Sequence, residues 1–320
     1  MGGDMRWLTA PRSSPDREDA LRVENGKSWI ENAREARTAE WNALLERMHP
    51  LWLWENGAPG YQPEYKQRPP AIYRWPDASH EAPSGAILIS AGGGYMFKSE
   101  WEAEPVARWF YEKGFSTFIV DYRVAPYTLE ESRADALRAV RYLRYHAETL
   151  NILPDRIAVL GGSAGGQQSG MAATMFDEGD LSAEDPVERV SSRPDACVLC
   201  YGAWIVEAEH TPIAVPFDWE AQKEKAQYSV AHHLRVDCPP FFIWQTNADD
   251  PRHGCEFCIA LTNLGIPFEF HVFPEGAHGC GLADGGHRYA PYARSASRWP
   301  MMVTEFLENL GFLPKTVLEE

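Results

Sequence analysis

A glycine-rich segment of this chain carries a serine in a setting suited to nucleophilic chemistry. Residues 157–167 read IAVLGGSAGGQ, in which Gly161, Ser163 and Gly165 match the pattern G-x-S-x-G after four apolar residues of strand character. A serine nucleophile needs a tight turn from strand to helix, where the residues two before and two after it come close together. Glycine at both positions meets that demand. The segment therefore predicts Ser163 as a nucleophile.

A phosphate-binding loop is the alternative interpretation of the same turn. A Walker loop requires Gly-Lys-Ser/Thr, and a dinucleotide loop requires G-x-G-x-x-G with an acid after the next strand. Neither pattern is present around residue 163. The nucleophile remains the favoured interpretation.

The general base is expected late in the chain, in a loop that follows a strand. The strand-like run FEFHVF at 268–273 leads into His278, which stands next to a glycine. His271 lies inside that run, where packing would fix it. His287 is the main alternative, and it is otherwise expected to line the substrate pocket. We predict His278 as the base.

A carboxylate that orients the base is expected between the serine and the histidine in chain order. The apolar run at 241–246 is followed by Asn-Ala-Asp249-Asp250-Pro251, and either aspartate is a candidate. Asp250 precedes proline, which biases it toward extended backbone pointing out of the turn. We therefore expect Asp250 to be the acid and keep Asp249 as the alternative, with the remaining aspartate serving as a helix or turn cap.

Three consecutive glycines follow the first confidently predicted strand, where backbone N–H groups are able to turn into a cavity without β-carbons in the way. Gly93 and Gly94, together with Ala164 after the serine, are predicted to form an oxyanion hole. Tyr95 beside this turn and Trp204 after a strand end are candidates for stacking on a sugar ring, although aromatic residues commonly pack in the core instead.

The elements that must position these residues alternate along the chain. Strands are expected at 86–90, 115–121, 157–161, 196–201, 241–246 and 268–273, and helices at 105–113, 131–150, from 164, at 254–264 and at 300–310. Nearly all-apolar strands that alternate with helices predict an α/β fold with a mostly parallel sheet covered on both faces. Such a sheet presents functional groups at the carboxyl ends of its strands.

One main domain is expected, because the candidate residues are spread from the first glycine loop to the last histidine. Residues 1–50 are predicted to be a polar extension with one helix, and residues 51–320 to form the main domain. Its first part, to residue 77, is expected to be an extended wrapping segment. Segments 203–238 and 281–299 interrupt the alternation and are predicted to form a small cap.

The charge balance indicates which partners to exclude. The 320 residues contain 46 acidic and 30 basic side chains, a formal net charge of −16. Binding to nucleic acid or to an anionic membrane needs clustered cations, so neither partner is expected. The sequence shows no apolar stretch of membrane-spanning length and no secretion signal, so we expect a cytoplasmic location.

Six cysteines include two C-x-x-C pairs that invite a zinc interpretation. Cys197 and Cys200 fall in a predicted strand, where residues three apart point to opposite faces. Cys255 and Cys258 fall on a helix, but the interval between the two pairs is too long for a zinc ribbon. We therefore predict no metal site and interpret the cysteines as free thiols.

With these residues placed, the chain resembles the α/β-hydrolase superfamily, in the esterase branch near hormone-sensitive-lipase-like enzymes. More narrowly, it is similar to bacterial carbohydrate acetyl esterases of the acetyl xylan esterase-like group. The resemblance covers roughly residues 51–310 and is carried, in order, by LWENGAP at 53–59, GGGY at 92–95, DYRVAPY at 121–127, GGSAG at 161–165, DDP at 249–251 and HG at 278–279. Two positions depart from the pattern, Ala91 in place of histidine or proline and His253 in place of valine.

The resemblance implies an α/β-hydrolase fold with a small cap and a Ser163, Asp250 and His278 triad. It implies hydrolysis of a short acyl ester, acetyl favoured, of a carbohydrate or similar small alcohol through a covalent acyl-enzyme, without a cofactor. The expected partner is a small-molecule ester, with an acetylated oligosaccharide as a candidate. A carboxylesterase for unrelated esters, a serine peptidase and a non-catalytic binding homologue are the alternatives.

Overall fold

A mostly parallel sheet forms the centre of the computed structural model, which describes residues 23–24, 27–202, 204 and 227–313. A short hairpin comes first, made of β1 (Val23–Glu24) and β2 (Lys27–Ser28). The strands of the main sheet are β3 (Pro50–Trp52), β4 (Ala71–Trp75), β5 (Ser84–Ser90), β6 (Ser116–Asp121), β7 (Ile152–Gly162), β8 (Ala196–Cys200), β9 (Phe241–Thr246) and β10 (Phe268–Phe273). Among the described residues these eight strands pair in the order β10-β9-β8-β7-β5-β6-β4-β3.

Strand direction separates the sheet into two parts. From β10 to β6 every neighbouring pair is parallel, whereas β4 pairs antiparallel with both β6 and β3 at one edge. The apolar runs predicted the parallel part, and β9 and β10 have the predicted bounds. The antiparallel strands β3 and β4 were expected only as an extended wrapping segment, because they are short and lie in a proline-rich stretch.

Helices cover both faces of the sheet, as predicted. They are α1 (Trp29–Leu45), α2 (Glu104–Glu112), α3 (Leu129–Tyr145), α4 (Ala147–Leu150), α5 (Ala164–Thr174), α6 (Arg252–Leu264) and α7 (Trp299–Asn309). Buried side chains of α1, α2 and α7 pack with Ile87 and Ile89 of β5, and those of α3, α5 and α6 pack with Ala86 and Leu88 on the opposite face. The sheet is thus the middle layer of an α/β fold. None of the described helices is both long enough and apolar enough to pass through a bilayer.

The first helix is part of this core. Trp41, Leu44 and Leu45 of α1 are buried in the same cluster as α2 and α7. The indole Nε1 of Trp41 also donates a hydrogen bond of 2.8 Å to Asp121 at the end of β6. The domain boundary predicted after residue 50 falls inside β3, so α1 and the sheet form one packed unit. Residues 1–22 lie outside the described residues.

The structure describes the two predicted cap segments to different extents. Most of segment 203–238 lies outside the described residues, and its described end carries a 3₁₀ turn, Val230–His233, beside α5. Segment 281–299 buries Ala283, Ala293 and Trp299 in the core cluster of α2 and α7. These three residues of the segment therefore pack in the domain core, and the segment leads from the His278 loop back to α7.

Candidate active site

The turn from β7 into α5 holds Ser163 in a strained backbone conformation. Its φ is 54° and its ψ −121°, and its backbone N–H donates 2.9 Å to the carbonyl of Cys200 on β8. A β-carbon on Gly161 would lie 2.1 Å from the Gly165 carbonyl oxygen, and one on Gly165 would lie 2.0 Å from the carbonyl oxygen of Ser90. Only glycine fits at either position. The strain, of order 1–3 kcal/mol, presents the serine hydroxyl above the end of the sheet.

The loop after β10 brings His278 to this hydroxyl. Nε2 of His278 lies 2.8 Å from Oγ of Ser163, across 115 positions of sequence. His271 stays within β10 and pairs with Glu269. His287 pairs instead with Glu100, 3.2 Å away. The structure therefore brings together the serine and the histidine that the sequence favoured.

Asp249 is the carboxylate that reaches the imidazole. Its Oδ1 lies 2.6 Å from Nδ1 of His278, and its Oδ2 accepts hydrogen bonds from the backbone and hydroxyl of Thr246 at 3.3 and 3.1 Å. Asp250 turns away, accepts the backbone N–H of Arg252 at 3.1 Å and pairs with the guanidinium of that arginine. The structure thus corrects the preference for Asp250, which serves as the turn carboxylate predicted for the second aspartate.

The charges around His278 determine its protonation and tautomer. Burial acts to lower the imidazole pKa, but the attraction and hydrogen bond of Asp249 and the charge of Glu102 outweigh it, so the pKa is raised above the ordinary value. A carboxylate only accepts hydrogen bonds, so we assign the imidazole proton to Nδ1. The lone pair of Nε2 then faces the Ser163 hydroxyl. This arrangement is able to take a proton from the serine.

The three-glycine loop after β5 passes beside the serine. A β-carbon on Gly92 would lie 2.9 Å from the β-carbon of Ser163, and one on Gly93 would meet a backbone carbonyl of the loop at 2.2 Å. Within the described part of the chain, the backbone N–H groups of Gly93 and Gly94 donate to no acceptor. The N–H of Ala164 opens α5, where a helix supplies no acceptor of its own. Gly92 of this loop and Ala164 therefore lie beside Ser163, and the two predicted loop donors, Gly93 and Gly94, follow Gly92 directly.

The aromatic residues predicted to contact substrate lie in different environments. Trp204 is fully buried and packs against Phe257, so its predicted stacking on a sugar is wrong. Its place just after a strand end did not reveal that the side chain turns inward. Tyr95 is half-buried in the glycine loop, with its ring edge-on to Tyr122 at 6.1 Å.

His287 lines a groove of about 460 Å³ between α2 and the loop after His278. Its ring stacks on Trp101 at 5.1 Å, and the indole Nε1 of Trp101 donates 2.8 Å to the carbonyl of Gly279. The groove therefore adjoins the loop that carries the base. It is lined by aromatic, acidic, basic and small residues, among them Trp101, Trp109, Glu100, Glu104, Arg108 and Asp284.

One buried carboxylate beside the site was not predicted from the sequence. Glu102 is 4% exposed and bonds to Tyr201 and to the backbone of Gly92. It lies between a tryptophan and an alanine, and nothing in that local pattern marks a functional acid. Its partners come from segments about ten and one hundred residues away.

One known protein family matches this sequence. Residues 72–253, more than half of the 320-residue chain, match the family model described as BD-FAE. The chain belongs to the BD-FAE family. The predicted relationship to α/β hydrolases is confirmed.

Curated relatives of this BD-FAE chain include esterases. An endo-1,4-beta-xylanase B of Butyrivibrio fibrisolvens is 31% identical over 215 residues, which cover 62% of this chain and 33% of the relative. An acetylxylan esterase of Xylanibacter ruminicola is 27% identical over 63% of this chain and 42% of its own length. The chain thus spans well under half of these two relatives. An ethyl acetate hydrolase of Pseudomonas putida is 33% identical over 66% of this chain and 70% of its own.

Solved structures share the fold. An acetyl ester-xyloside bifunctional hydrolase from Caldicellulosiruptor lactoaceticus superposes with a TM-score of 0.72 at 34% identity, covering 83% of this chain and 98% of that one. A butyrate-bound esterase from Thermogutta terrifontis superposes with a TM-score of 0.65 at 24% identity, covering 85% and 97%. The second likeness supports the fold alone, and the predicted α/β-hydrolase architecture is confirmed.

Proposed function

We propose that this protein is a serine esterase that removes short acyl groups, acetyl above all, from a carbohydrate or a similar small alcohol. The observation that carries the proposal is the hydrogen-bonded series from Ser163 through His278 to Asp249, with separations of 2.8 and 2.6 Å. The acetylxylan esterase and acetyl ester-xyloside hydrolase among its relatives support the choice of substrate class.

In the acylation half of the reaction, Oγ of Ser163 attacks the ester carbonyl carbon as its proton passes to Nε2 of His278. The bond to the alcohol oxygen then breaks, and the imidazolium returns its proton to the departing alcohol. Asp249 retains the Nδ1 proton in its hydrogen bond and stabilises the positive ring. The acyl group is left on Oγ of the serine.

The negative oxygen of the tetrahedral intermediate needs donors that are already in place. The N–H groups of Gly93, Gly94 and Ala164 supply them without reorganising. Loss of one such donor in comparable enzymes lowers kcat by about 10²- to 10³-fold. The glycines leave this side of the cavity open to the acyl oxygen.

Deacylation repeats the same proton transfers with water as the nucleophile. His278 accepts a proton from the water as its oxygen attacks the acyl carbon, and returns it to Oγ of Ser163 as the acid product leaves. No step in either half requires a cofactor.

The groove beside the His278 loop is the proposed place for the alcohol portion of the substrate. Sugars bind through the faces of aromatic rings and through carboxylates that accept hydrogen bonds from hydroxyl groups. Trp109, Glu104, Asp284 and His287 line this groove and offer both kinds of contact. Tyr95 remains the proposed contact on the acyl side of the glycine loop.

Hydrolysis of small esters that carry no sugar is a second candidate function. The Pseudomonas putida relative, described as an ethyl acetate hydrolase, favours it over the alternative peptidase and non-catalytic assignments. The two esterase functions share the same Ser163 chemistry. They differ in whether a carbohydrate alcohol improves kcat/KM over a simple alcohol.

A panel of p-nitrophenyl esters from acetate to octanoate tests the reaction class, with Ser163→Ala as the matched variant. We expect activity to fall with acyl length and to drop by about ten-thousandfold or more in the variant. Unchanged activity in Ser163→Ala would refute the mechanism. The two esterase functions are then separated by comparing kcat/KM for acetylated xylo-oligosaccharides, followed by mass spectrometry, with kcat/KM for ethyl acetate. A carbohydrate esterase has the higher value on the oligosaccharides.

A further inference from the structure

A buried glutamate lies directly behind the candidate active site. Glu102 ends the 3₁₀ turn Glu100–Glu102, between the three-glycine loop and α2. A β-carbon on Gly92 would lie 2.7 Å from its Oε2, and one on Gly162 would lie 2.5 Å from its Oε1. The carboxylate therefore occupies space that side chains at these glycines would fill, next to both the glycine loop and the serine.

The hydrogen bonds of Glu102 define its charge state. The Tyr201 hydroxyl lies 2.9 Å from Oε1, and the backbone N–H of Gly92 lies 3.2 Å from Oε2. The Tyr201 oxygen already accepts the N–H of Gly281 at 3.0 Å, so the single phenol proton points toward the glutamate. Both of these contacts are donors, and donors favour the carboxylate form over the acid. We assign Glu102 as the carboxylate anion.

The cation that faces this anion is formed during the reaction. Within the described ranges, no lysine or arginine makes an ion pair with Glu102. His278 lies within electrostatic range, and the Tyr201 ring packs edge-on against the imidazole with centroids 5.6 Å apart. When His278 takes the serine proton, it becomes positive next to two carboxylates, Asp249 and Glu102.

The other titratable groups packed around this carboxylate stay neutral. They are Tyr122 and Tyr201 and the thiols of Cys200 and Cys280. Burial raises the pKa of each of them, to about 12 for Cys280. The charges that act on the imidazole therefore come from Asp249 and Glu102, and both are negative.

We infer that Glu102 is a positioning residue for the proposed esterase reaction: it fixes the glycine loop through Gly92, and its charge stabilises the imidazolium of His278. The inference rests on the proposed function, because the imidazolium exists only if His278 accepts the Ser163 proton. One buried side chain would thus hold the shape of the glycine loop and supply part of the negative electrostatic potential at the His278 imidazole.

The pKa directions link the two side chains. Burial raises the pKa of Glu102 above its ordinary value, and the bond from Tyr201, the charge of His278 and the bonds from Ser99 and Gly92 lower it only in part. Reciprocally, Glu102 is one of the groups that raise the pKa of His278. Removing its charge therefore leaves the imidazole easier to deprotonate.

The test is the pH dependence of Glu102→Gln, measured as kcat/KM for p-nitrophenyl acetate and as the rate at which a fluorophosphonate labels Ser163. We expect the high-pH plateau of both rates to fall about tenfold, which is less than the loss caused by removing a direct oxyanion donor. The acid limb of both pH profiles should move to lower pH. Glu148→Gln is the matched control. That glutamate is exposed on α4, outside both the candidate active site and the groove, and should leave the profile unchanged.

Tyr201→Phe provides a second variant if the glutamine variant does not fold. It removes the donor to Oε1, so burial raises the pKa of Glu102 further and its charge is lost over a wider pH range. We expect the same direction of change in the acid limb, with a smaller effect on the plateau. Circular dichroism establishes that each measured variant is folded.

The outcomes separate this inference from the proposed function. A wild-type protein that neither hydrolyses the acetate nor reacts with the fluorophosphonate removes the proposed function itself. An active wild type together with an unmoved acid limb in the folded variants overturns the role of Glu102, even if their plateaus fall. An acid limb that moves in Glu148→Gln as well would also overturn it.

Discussion

Nδ1 of His278 lies 2.6 Å from Oδ1 of Asp249, and the aspartate side chain is completely buried. The second aspartate oxygen is held by Thr246 at the end of β9. This anchoring fixes the direction of the carboxylate before any substrate arrives. The histidine is therefore oriented by a side chain whose own position is set by the sheet.

Asparagine substitutions at the two adjacent aspartates should have very different effects. In Asp249→Asn the amide N–H₂ faces Nδ1 and favours the tautomer with its proton on Nε2, which is then unable to accept from Ser163. We expect kcat to fall on the order of 10³- to 10⁴-fold. Asp250→Asn should change kcat little, because that carboxylate pairs with Arg252. The measurement is p-nitrophenyl acetate hydrolysis by both variants, and the opposite ranking would restore Asp250 as the acid.

The activity should rise with pH through the pKa of His278. Only the neutral imidazole accepts the serine proton, so protonation at low pH inactivates the enzyme. Because Asp249 and Glu102 raise this pKa, half-maximal kcat/KM should occur above the ordinary histidine value of about 6.5. A kcat/KM profile whose acid limb lies below that value in the wild type contradicts the described charge environment.

Substitution of Trp204 should affect stability and leave selectivity unchanged. Its side chain is fully buried, so Trp204→Ala should lower the free energy of unfolding by about 3–5 kcal/mol. Urea denaturation measures this loss. Trp204→Phe should keep the wild-type ratio of kcat/KM between an acetylated xylo-oligosaccharide and p-nitrophenyl acetate. A ratio that falls sharply in the phenylalanine variant would indicate sugar contact after all.

The hydrogen bond between Trp41 and Asp121 should contribute to stability. Trp41→Phe keeps an aromatic side chain but removes the indole N–H and part of a buried ring, and leaves one bond of a buried carboxylate unmade, so the free energy of unfolding should fall by about 1–3 kcal/mol. Trp52 is 42% exposed and supplies the matched control. Trp52→Phe should change the free energy of unfolding by less than about 0.5 kcal/mol. Equal losses in the two variants, measured by chemical denaturation, would show that the bond is not the cause.

The parts of the site that depend on local geometry were predictable from sequence. The turn around Ser163 needs its glycines within a few residues, and His278 follows a strand that its apolar run identifies. The choice between Asp249 and Asp250, in contrast, depends on a residue far away in the sequence. The proline at 251 biases the backbone of the residue before it, but contact with an imidazole 29 positions downstream decides which carboxylate is used.

Inward-facing residues at loop boundaries were harder to predict. Trp204 follows a strand end, where the sequence alone does not distinguish a side chain that faces substrate from one that packs inward. Glu102 has no motif, because its donors come from positions 92 and 201 in other elements. The antiparallel strands β3 and β4 were missed because they are short and lie in a proline-rich stretch, which favours an extended segment over a strand.

The packing of α1 has a practical consequence for fragments of this chain. A shortened form that starts at residue 51 would uncover the apolar surface that Trp41, Leu44 and Leu45 now shield. Newly bared patches of this kind promote self-association, so such a fragment would tend to aggregate even with every reacting group present. Expression boundaries for crystallisation or engineering should therefore begin upstream of this helix.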